Sequence, residues 1–332
     1  MPRPTIKDVA EAAGVSVATV SRALSGARGV RPEHKSLVIR TADAMGYRPH
    51  SIAQALRRSR TGAIGMVIPR IDNPFFPQLV AEAERALHTR GFSLLLCSSD
   101  DDPAIEAARI EVLLDRQVDG LLISASSQED SAAAISAAAL KVPTVQFDQR
   151  APAVATPFVG IDDAAAMAQL VALLIGNGSQ RLAYIGAGHE NWSGLRRSSG
   201  FEQSARALDP GSPARMQLGE FTRDYGRQAA HRLLQEDPSI DAIVCGNDLI
   251  AIGVLDAARE LNLKVPHDLQ VTGFDDINVA TVSNPALTTV RQPVTRIVDT
   301  AVEILLTMIS GTPSDTVVEL PVELVVRGSA LR

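Results

Sequence analysis

A chain of 332 residues with 45% hydrophobic side chains can bury more than one core, and its length points to two or three domains. No apolar run reaches the roughly 18 residues of a membrane span, no signal-peptide pattern precedes the first amphipathic segment, and Cys97 and Cys245 sit singly in apolar runs without metal-ligand spacing. The expectation is a cytoplasmic protein with buried free thiols, no membrane association, no metal and no cofactor. The net charge of −6 speaks against nucleic acid, but residues 1–60 hold 11 Lys and Arg against 4 Asp and Glu, while the rest hold 21 against 34. A basic head on an acidic body suits phosphate binding at one end only.

In chain order, Ile6, Val9, Ala10 and Ala13 recur at helical spacing, and Gly14 stops that helix. Ser16 can cap a second helix in which Val20 and Leu24 point inward, leaving Val17, Ala18, Ser21 and Arg22 on the outer face. Two short helices joined by a glycine turn describe a helix-turn-helix, whose second helix enters the DNA major groove. There Val17 and Ala18 offer apolar contact, for instance to a thymine methyl, and Arg22 offers the bidentate contact to guanine. Thr5, Ser16, Thr19 and Ser21 suit phosphate contacts, which position without specifying. Pro32 opens a third helix, Glu33 to Met45, with Leu37, Ile39, Ala42 and Met45 as its apolar contacts. The basic segment 48–60 has the propensity for about two helical turns, too short to be stable alone in water.

From Gly62 the pattern alternates. Apolar strand-like runs at 63–69, 92–97, 120–123 and 143–148 are separated by helical patterns near 77–90, 103–117 and 129–140. The order restarts after residue 161, with helices near 164–176, 194–207, 224–236 and 249–262 and strands at 182–186, 242–246 and 269–274. Such alternation calls for parallel, doubly wound sheets, and two similar α/β halves in tandem suggest a ligand cleft at the carboxyl ends of their strands. Asp148, Asn247, Asp275 and Asp276 sit at those ends. Phe75, Phe76, Phe221 and Trp192 lie in loops where an aromatic face could stack on a ring. Asp163 and Asp248 read as helix caps, and Asp276 as structural. An enzyme is disfavoured: Gly186-Ala187-Gly188 lacks the third glycine of a dinucleotide loop, and neither a P-loop nor a Gly-x-Ser-x-Gly elbow is present.

Thr5-Ile6-x-Asp8-Val9-Ala10-x-x-Ala13-Gly14-Val15-Ser16-x-x-Thr19-Val20-Ser21-Arg22-x-Leu24, continued by Gly46-Tyr47-x-Pro49 and Ala53-x-x-Leu56, resembles the opening signature of LacI/GalR-family transcription regulators. Val17-Ala18 with Arg22 is similar to the galactose-repressor subset. Ser25, Arg31-Pro32 and His50 depart from the usual pattern. The resemblance implies an α/β fold with an N-terminal helix-turn-helix headpiece (1–48), a hinge helix or linker (49–61), and two doubly wound parallel-sheet subdomains of the periplasmic-binding-protein type. These would be 62–161 with 292–320, and 162–291 with 321–332. It further implies a homodimer, possibly a tetramer, on pseudo-palindromic operator DNA. His50, Ala53, Leu56 and Arg57 would contact that DNA, Leu56 as a minor-groove wedge. Arg197, three positions before Gly200, matches the family's ligand-gripping arginine, completing an effector set of Phe75, Phe76, Asp148, Trp192, Arg197, Phe221, Asn247 and Asp275. The implied effector is a small sugar, with a nucleoside, nucleobase or other small metabolite as the alternative.

Overall fold

A computed structural model describes residues 4–24, 29–47, 60–208 and 215–331. The chain divides into two compact units, residues 1–62 and 63–332. His50, Ala53, Leu56 and Arg57, the expected hinge contacts, lie outside the described residues, as does Ser25.

The first unit holds three helices, α1 (Ile6–Ala12), α2 (Val17–Leu24) and α3 (Pro32–Ala44). Thr5 and Asp8 form a reciprocal capping box that starts α1. At its end Gly14, in a left-handed conformation with φ +64°, donates to Glu11 O, and Val15 donates to Ala10 O. This closure satisfies two orphan carbonyls and suits glycine because no Cβ opposes the positive φ. Ser16 then caps α2, its Oγ accepting from Thr19 N–H at 3.1 Å. The core is small: Val9, Ala10, Ala13, Val20, Ala23, Val38 and Ala42, with Leu24, Met45 and others partly buried against it. Leu37 and Ile39 were expected inside but are 38% and 40% exposed. The inward phase of α3 runs through Val38 and Ala42, an i, i+4 pair, which turns residues 37 and 39 about 100° to either side.

The second unit contains two parallel sheets. In the six-stranded sheet the order is β11-β5-β4-β3-β1-β2, formed by β1 (Ala63–Ile68), β2 (Ser93–Ser98), β3 (Gly120–Ile123), β4 (Thr144–Phe147), β5 (Phe158–Ile161) and β11 (Val317–Leu320). The helices of this half are α4 (Phe75–His88), α5 (Pro103–Asp115), α6 (Ala132–Ala139) and the late α12 (Val294–Ile309). Both faces of the inner strands are covered, as continuous apolar strands require, whereas the edge strand β2 is largely exposed. Ile64, Met66 and Ile68 enter one cluster with Leu79, Leu170 and Ile297, while Val67 joins Ile110, Leu121 and Ile123 in another.

The four-stranded sheet, β7-β6-β8-β9, uses β6 (Leu182–Ala187), β7 (Arg215–Gly219), β8 (Ala242–Cys245) and β9 (Gln270–Thr272). Around it lie α7 (Asp163–Gly176), α8 (Trp192–Leu208), α9 (Arg223–Glu236), α10 (Asp248–Glu260) and the short α11 (Asn278–Val282). Strand β7 went unread in the sequence. It is an edge strand, half-buried throughout, so Arg-Met-Gln-Leu-Gly shows no apolar run. After residue 288 the chain crosses back. β10 (Thr289–Arg291) pairs antiparallel with β12 (Glu323–Val325), α12 packs on α4, β3 and β4, and β11 runs parallel to β5. The terminal segment then returns to the smaller sheet, with Val271 N–H donating to Ser329 O. Both cysteines are free thiols, Cys245 buried and Cys97 half-buried. Among the described residues no helix is long and apolar enough to cross a membrane, and no cluster of three or more metal-ligating side chains occurs.

Candidate functional site

On α2, Val17, Ala18 and Arg22 are exposed, Thr19 and Ser21 half-buried, and Val20 and Ala23 turned into the core. The outer face is therefore the one the helical phase predicts. Arg22 Nε donates to Ala18 O at 3.3 Å, laying the guanidinium along the helix. Thr5 and Ser16 spend hydroxyl groups on caps: Thr5 Oγ1 accepts from Asp8 N–H, and Ser16 Oγ lies 2.8 Å from Thr19 Oγ1. The hydrogen bonds from Thr5 hold the Asp8 carboxyl below its ordinary pKa.

At the carboxyl ends of the strands a narrow, partly open cleft forms, the place where ligands bind in sheets of this kind. Seven of the eight expected effector residues line it: Phe75, Phe76, Asp148, Arg197, Phe221, Asn247 and Asp275. Six of the seven arrive from element ends, and Arg197 projects from the second turn of the helix that begins at Trp192. Phe75 and Phe76 start α4, Asp148 follows β4, Phe221 follows β7, Asn247 follows β8, and Asp275 follows β9. Trp192 is not among the lining residues. Its ring instead meets Phe158 edge-on and carries the Arg196 guanidinium.

Arg197 organises the centre of the cleft, 3% exposed. Its Nε donates to Asp163 Oδ1 at 2.7 Å and its Nη1 to Gly246 O at 2.7 Å, while Asp275 Oδ1 stands 3.6 Å from Nη1. The guanidinium carbon lies over Phe274, 3.7 Å from the ring centroid, a contact that suits the broad, weakly hydrated guanidinium better than a lysine ammonium. Asp275 accepts from Gln292 Nε2 at 2.8 Å, and its N–H donates to Val290 O. Asp148 accepts from Ser124 Oγ at 3.3 Å. Burial pushes the Asp148 carboxyl up to about 8 and that of Asp275 up to about 6, against the pull of Arg197. Asp148 and Asp275 both hold left-handed backbone, φ +60° and +101°. Strain of this kind persists only where surrounding structure enforces it.

The two cap assignments are corrected by one residue. Asp162, not Asp163, caps α7 through Ala165 N–H at 3.1 Å, and Asn247, not Asp248, caps α10 through Ile250 N–H at 2.9 Å. The capping position is the last residue before helical dihedrals begin, so the following side chain turns inward. Asp163 thereby becomes the counter-ion of Arg197. Asp248 accepts from Thr289 Oγ1 at 2.6 Å and Ile277 N–H at 2.8 Å. Asp276 is tied at 2.7 Å to both Arg291 and Arg327, joining the β9 end to β10 and the chain beyond β12.

Sequence reasoning missed Arg70, Asn73, Asp101, Gln149, Asn191 and Gln292, which also line the cleft. Asp101 and Gln149 follow strand ends and were reachable by the same rule that found Asp148. Gln292 arrives on the crossover after β10, a position no local pattern marks. Gln149 also bridges the halves, its Oε1 accepting from Ser193 N–H at 3.0 Å.

Residues 5–50 match the family profile described as bacterial regulatory proteins, lacI family, and residues 171–330 match that of a periplasmic binding protein-like domain. The regulator MalR of Streptomyces coelicolor is 35% identical, the alignment covering 98% of this chain and 96% of that protein. The ribose operon repressor of Halalkalibacterium halodurans is 32% identical, with 97% and 96% covered. Among solved structures, the lac repressor dimer bound to operator and the anti-inducer ONPF superposes with a TM-score of 0.91 at 26% identity, covering 100% of both chains. Identity of this order over nearly the full length, together with the helix-turn-helix and the paired α/β halves, establishes that the chain belongs to the lacI family of bacterial regulatory proteins and is a DNA-binding transcription regulator.

Proposed function

We propose that the protein is a transcriptional repressor that binds a pseudo-palindromic operator as a homodimer and is controlled by a small sugar held in the cleft. The observation that carries the effector reading is the convergence of Asp148, Arg197, Asn247 and Asp275 beside Phe75, Phe76 and Phe221. Carboxylates, amide and guanidinium match hydroxyl groups, each of which both donates and accepts, and aromatic faces suit a pyranose or furanose ring. One structural relative, the transcriptional regulator CelR solved in complex with cellobiose (TM-score 0.74, 29% identity, covering 98% of this chain and 100% of that one), supports a sugar. In this reading residues 62–161 with 292–320 and 162–291 with 321–332 act as two jaws. Ligand stabilises one jaw arrangement over another, the spacing of the two 49–61 segments in the dimer changes, and DNA affinity follows the ligand's differential affinity for the two states. A second copy is supported by the edge strand β2, where Leu95 and Leu96 are 37% and 39% exposed, an arrangement isolated proteins avoid.

On α2, Arg22 reads guanine while Val17 and Ala18 make apolar base contact. Thr5, Ser16, Thr19 and Ser21 approach phosphates, and His50, Ala53, Leu56 and Arg57 act in the hinge. The test is thermal unfolding of the full chain with a panel of monosaccharides, disaccharides, nucleosides and purine bases. The expected result is a sugar whose stabilisation grows with concentration and vanishes in Asp275→Ala and Arg197→Ala. Response to a nucleoside or base alone refutes the sugar.

A further inference from the structure

We propose that the cleft selects an uncharged, hydroxyl-rich effector and rejects phosphorylated or carboxylated forms of the same molecule. The proposal takes the cleft as the effector site and adds the ligand's charge.

Each arginine lining the cleft is already matched by a carboxylate. Arg70 is bound through both Nε and Nη2 to Asp72, at 2.8 and 2.5 Å. Arg197 is bound to Asp163 at 2.7 Å, both side chains being 4% exposed or less. Two further carboxylates, Asp101 and Asp275, line the same space together with the Asp148 carboxyl, which burial keeps largely protonated near pH 7.5, and Asp100 and Glu220 add negative charge beside Asp101. The nearby Arg150 and Arg196 lie over Phe158 and Trp192 and do not line the cleft. An anion entering here loses its hydration and meets surplus carboxyl groups instead of an unmatched cation, a cost several-fold larger than any single hydrogen bond it could gain.

The other common anion receptor, the helix N-terminus, carries a side-chain cap at three helix starts bordering the cleft. Phe75 N–H, first in α4, donates to Asn73 Oδ1 at 3.2 Å. In α8, Ser193 N–H donates to Gln149 Oε1 and Gly194 N–H to Asn191 Oδ1, at 3.0 and 2.9 Å. Ile250 N–H in α10 donates to Asn247 Oδ1 at 2.9 Å. All four capping amides line the cleft. Each commits its oxygen to the backbone, so the NH₂ group is the part a ligand can use. Gln292 is the converse: its Nε2 is committed to Asp275, and its buried Oε1 has no partner. The cleft thus presents amide and guanidinium donors beside carboxyl and amide acceptors with no net positive charge. Hydroxyl groups satisfy both kinds. A phosphate or carboxylate, which only accepts, satisfies the donors and leaves the acceptors opposed by like charge.

The experiment is calorimetric titration and thermal unfolding of the full chain near pH 7.5 with matched pairs. These are glucose with glucose 6-phosphate and glucuronate, ribose with ribose 5-phosphate, and inosine with inosine monophosphate. Inorganic phosphate is compared with chloride at equal ionic strength. The charged member of any responding pair is expected to bind at least about tenfold more weakly than its neutral parent, and inorganic phosphate to stabilise no more than chloride. Glu220→Gln, exposed beside Asp101 and not lining the cleft, should shrink the penalty on the charged member without weakening the neutral one. A charged member that binds as tightly as its parent, or stabilisation specific to inorganic phosphate, overturns the proposal. If inosine responds and the sugars do not, the sugar reading falls while charge selection stands. If glucose 6-phosphate outbinds glucose, the sugar reading stands and charge selection falls.

Discussion

Two adjacent aspartates, Asp162 and Asp163, are predicted to differ sharply in what their loss costs. Asp163 is 2% exposed, and its Oδ1 takes the Arg197 Nε–H at 2.7 Å; removing the carboxylate leaves a guanidinium buried with Asp275 3.6 Å away as its nearest remaining counter-charge. Breaking a buried pair by deleting one partner costs roughly 3–5 kcal/mol, because the surviving charge stays desolvated. Partial compensation by Asp275 places Asp163→Ala at the lower end, about 3 kcal/mol. For a unit of this size that corresponds to a fall in Tm of roughly 5–10 °C. Asp162, with its side chain half exposed at 49%, contributes one cap bond to Ala165 N–H and a 3.6 Å approach to Arg196. Its replacement by Ala should cost about 1 kcal/mol, the usual worth of a cap. Thermal unfolding of the two variants by circular dichroism decides the matter. Equal losses, or a larger loss in Asp162→Ala, would refute the assignment of Asp163 as the arginine's counter-ion.

Three further outcomes are expected. Because the native Asp148 carboxyl titrates near 8 against an ordinary value of 3.8, its contribution to stability is fully present below about pH 4 and lost as the pH rises through 8. Unliganded Asp148→Asn, which cannot ionise, should therefore melt above the wild type at pH 8.5 and lose that advantage at pH 5, as read by calorimetry at both. Arg22→Ala should weaken binding to the preferred duplex by about 1–3 kcal/mol and flatten discrimination at one base pair per half-site, measured by anisotropy against a duplex series. A Cβ at Gly253 would collide with the carbonyl oxygen of Arg223 where α9 and α10 cross. Gly253→Ala should then cost about 1–3 kcal/mol or more from overpacking, seen as a lower midpoint in urea.

The headpiece was legible because its signals are local. The 3.6-residue spacing, Gly14 and the Ser16 cap fix two helices and their outer face without reference to anything distant. Apolar runs such as Ala63–Ile68 were equally readable, since a strand covered on both faces needs no alternation. Legibility failed where the environment decides. At β7 an edge position permits polar residues, and in α3 only the packing phase distinguishes Val38 from Leu37 and Ile39. Caps were misplaced by one residue because sequence shows which side chains can cap, while the dihedrals choose among neighbours. The strand-end rule found Asp148, Asn247 and Asp275, but Gln292 comes from a crossover whose path depends on the pairing of β10 with β12.

The central claim is that a ligand in the cleft governs affinity for DNA. It is tested most directly by selecting a preferred duplex from a random pool, then titrating the full-length protein onto it by fluorescence anisotropy with and without the stabilising sugar. The account predicts that the sugar changes the apparent Kd by roughly 5–150-fold, the usual range of such coupling, and that Asp275→Ala binds the same duplex but no longer responds. A sugar that binds without moving the Kd, or an Asp275→Ala variant that responds as the wild type does, would contradict it.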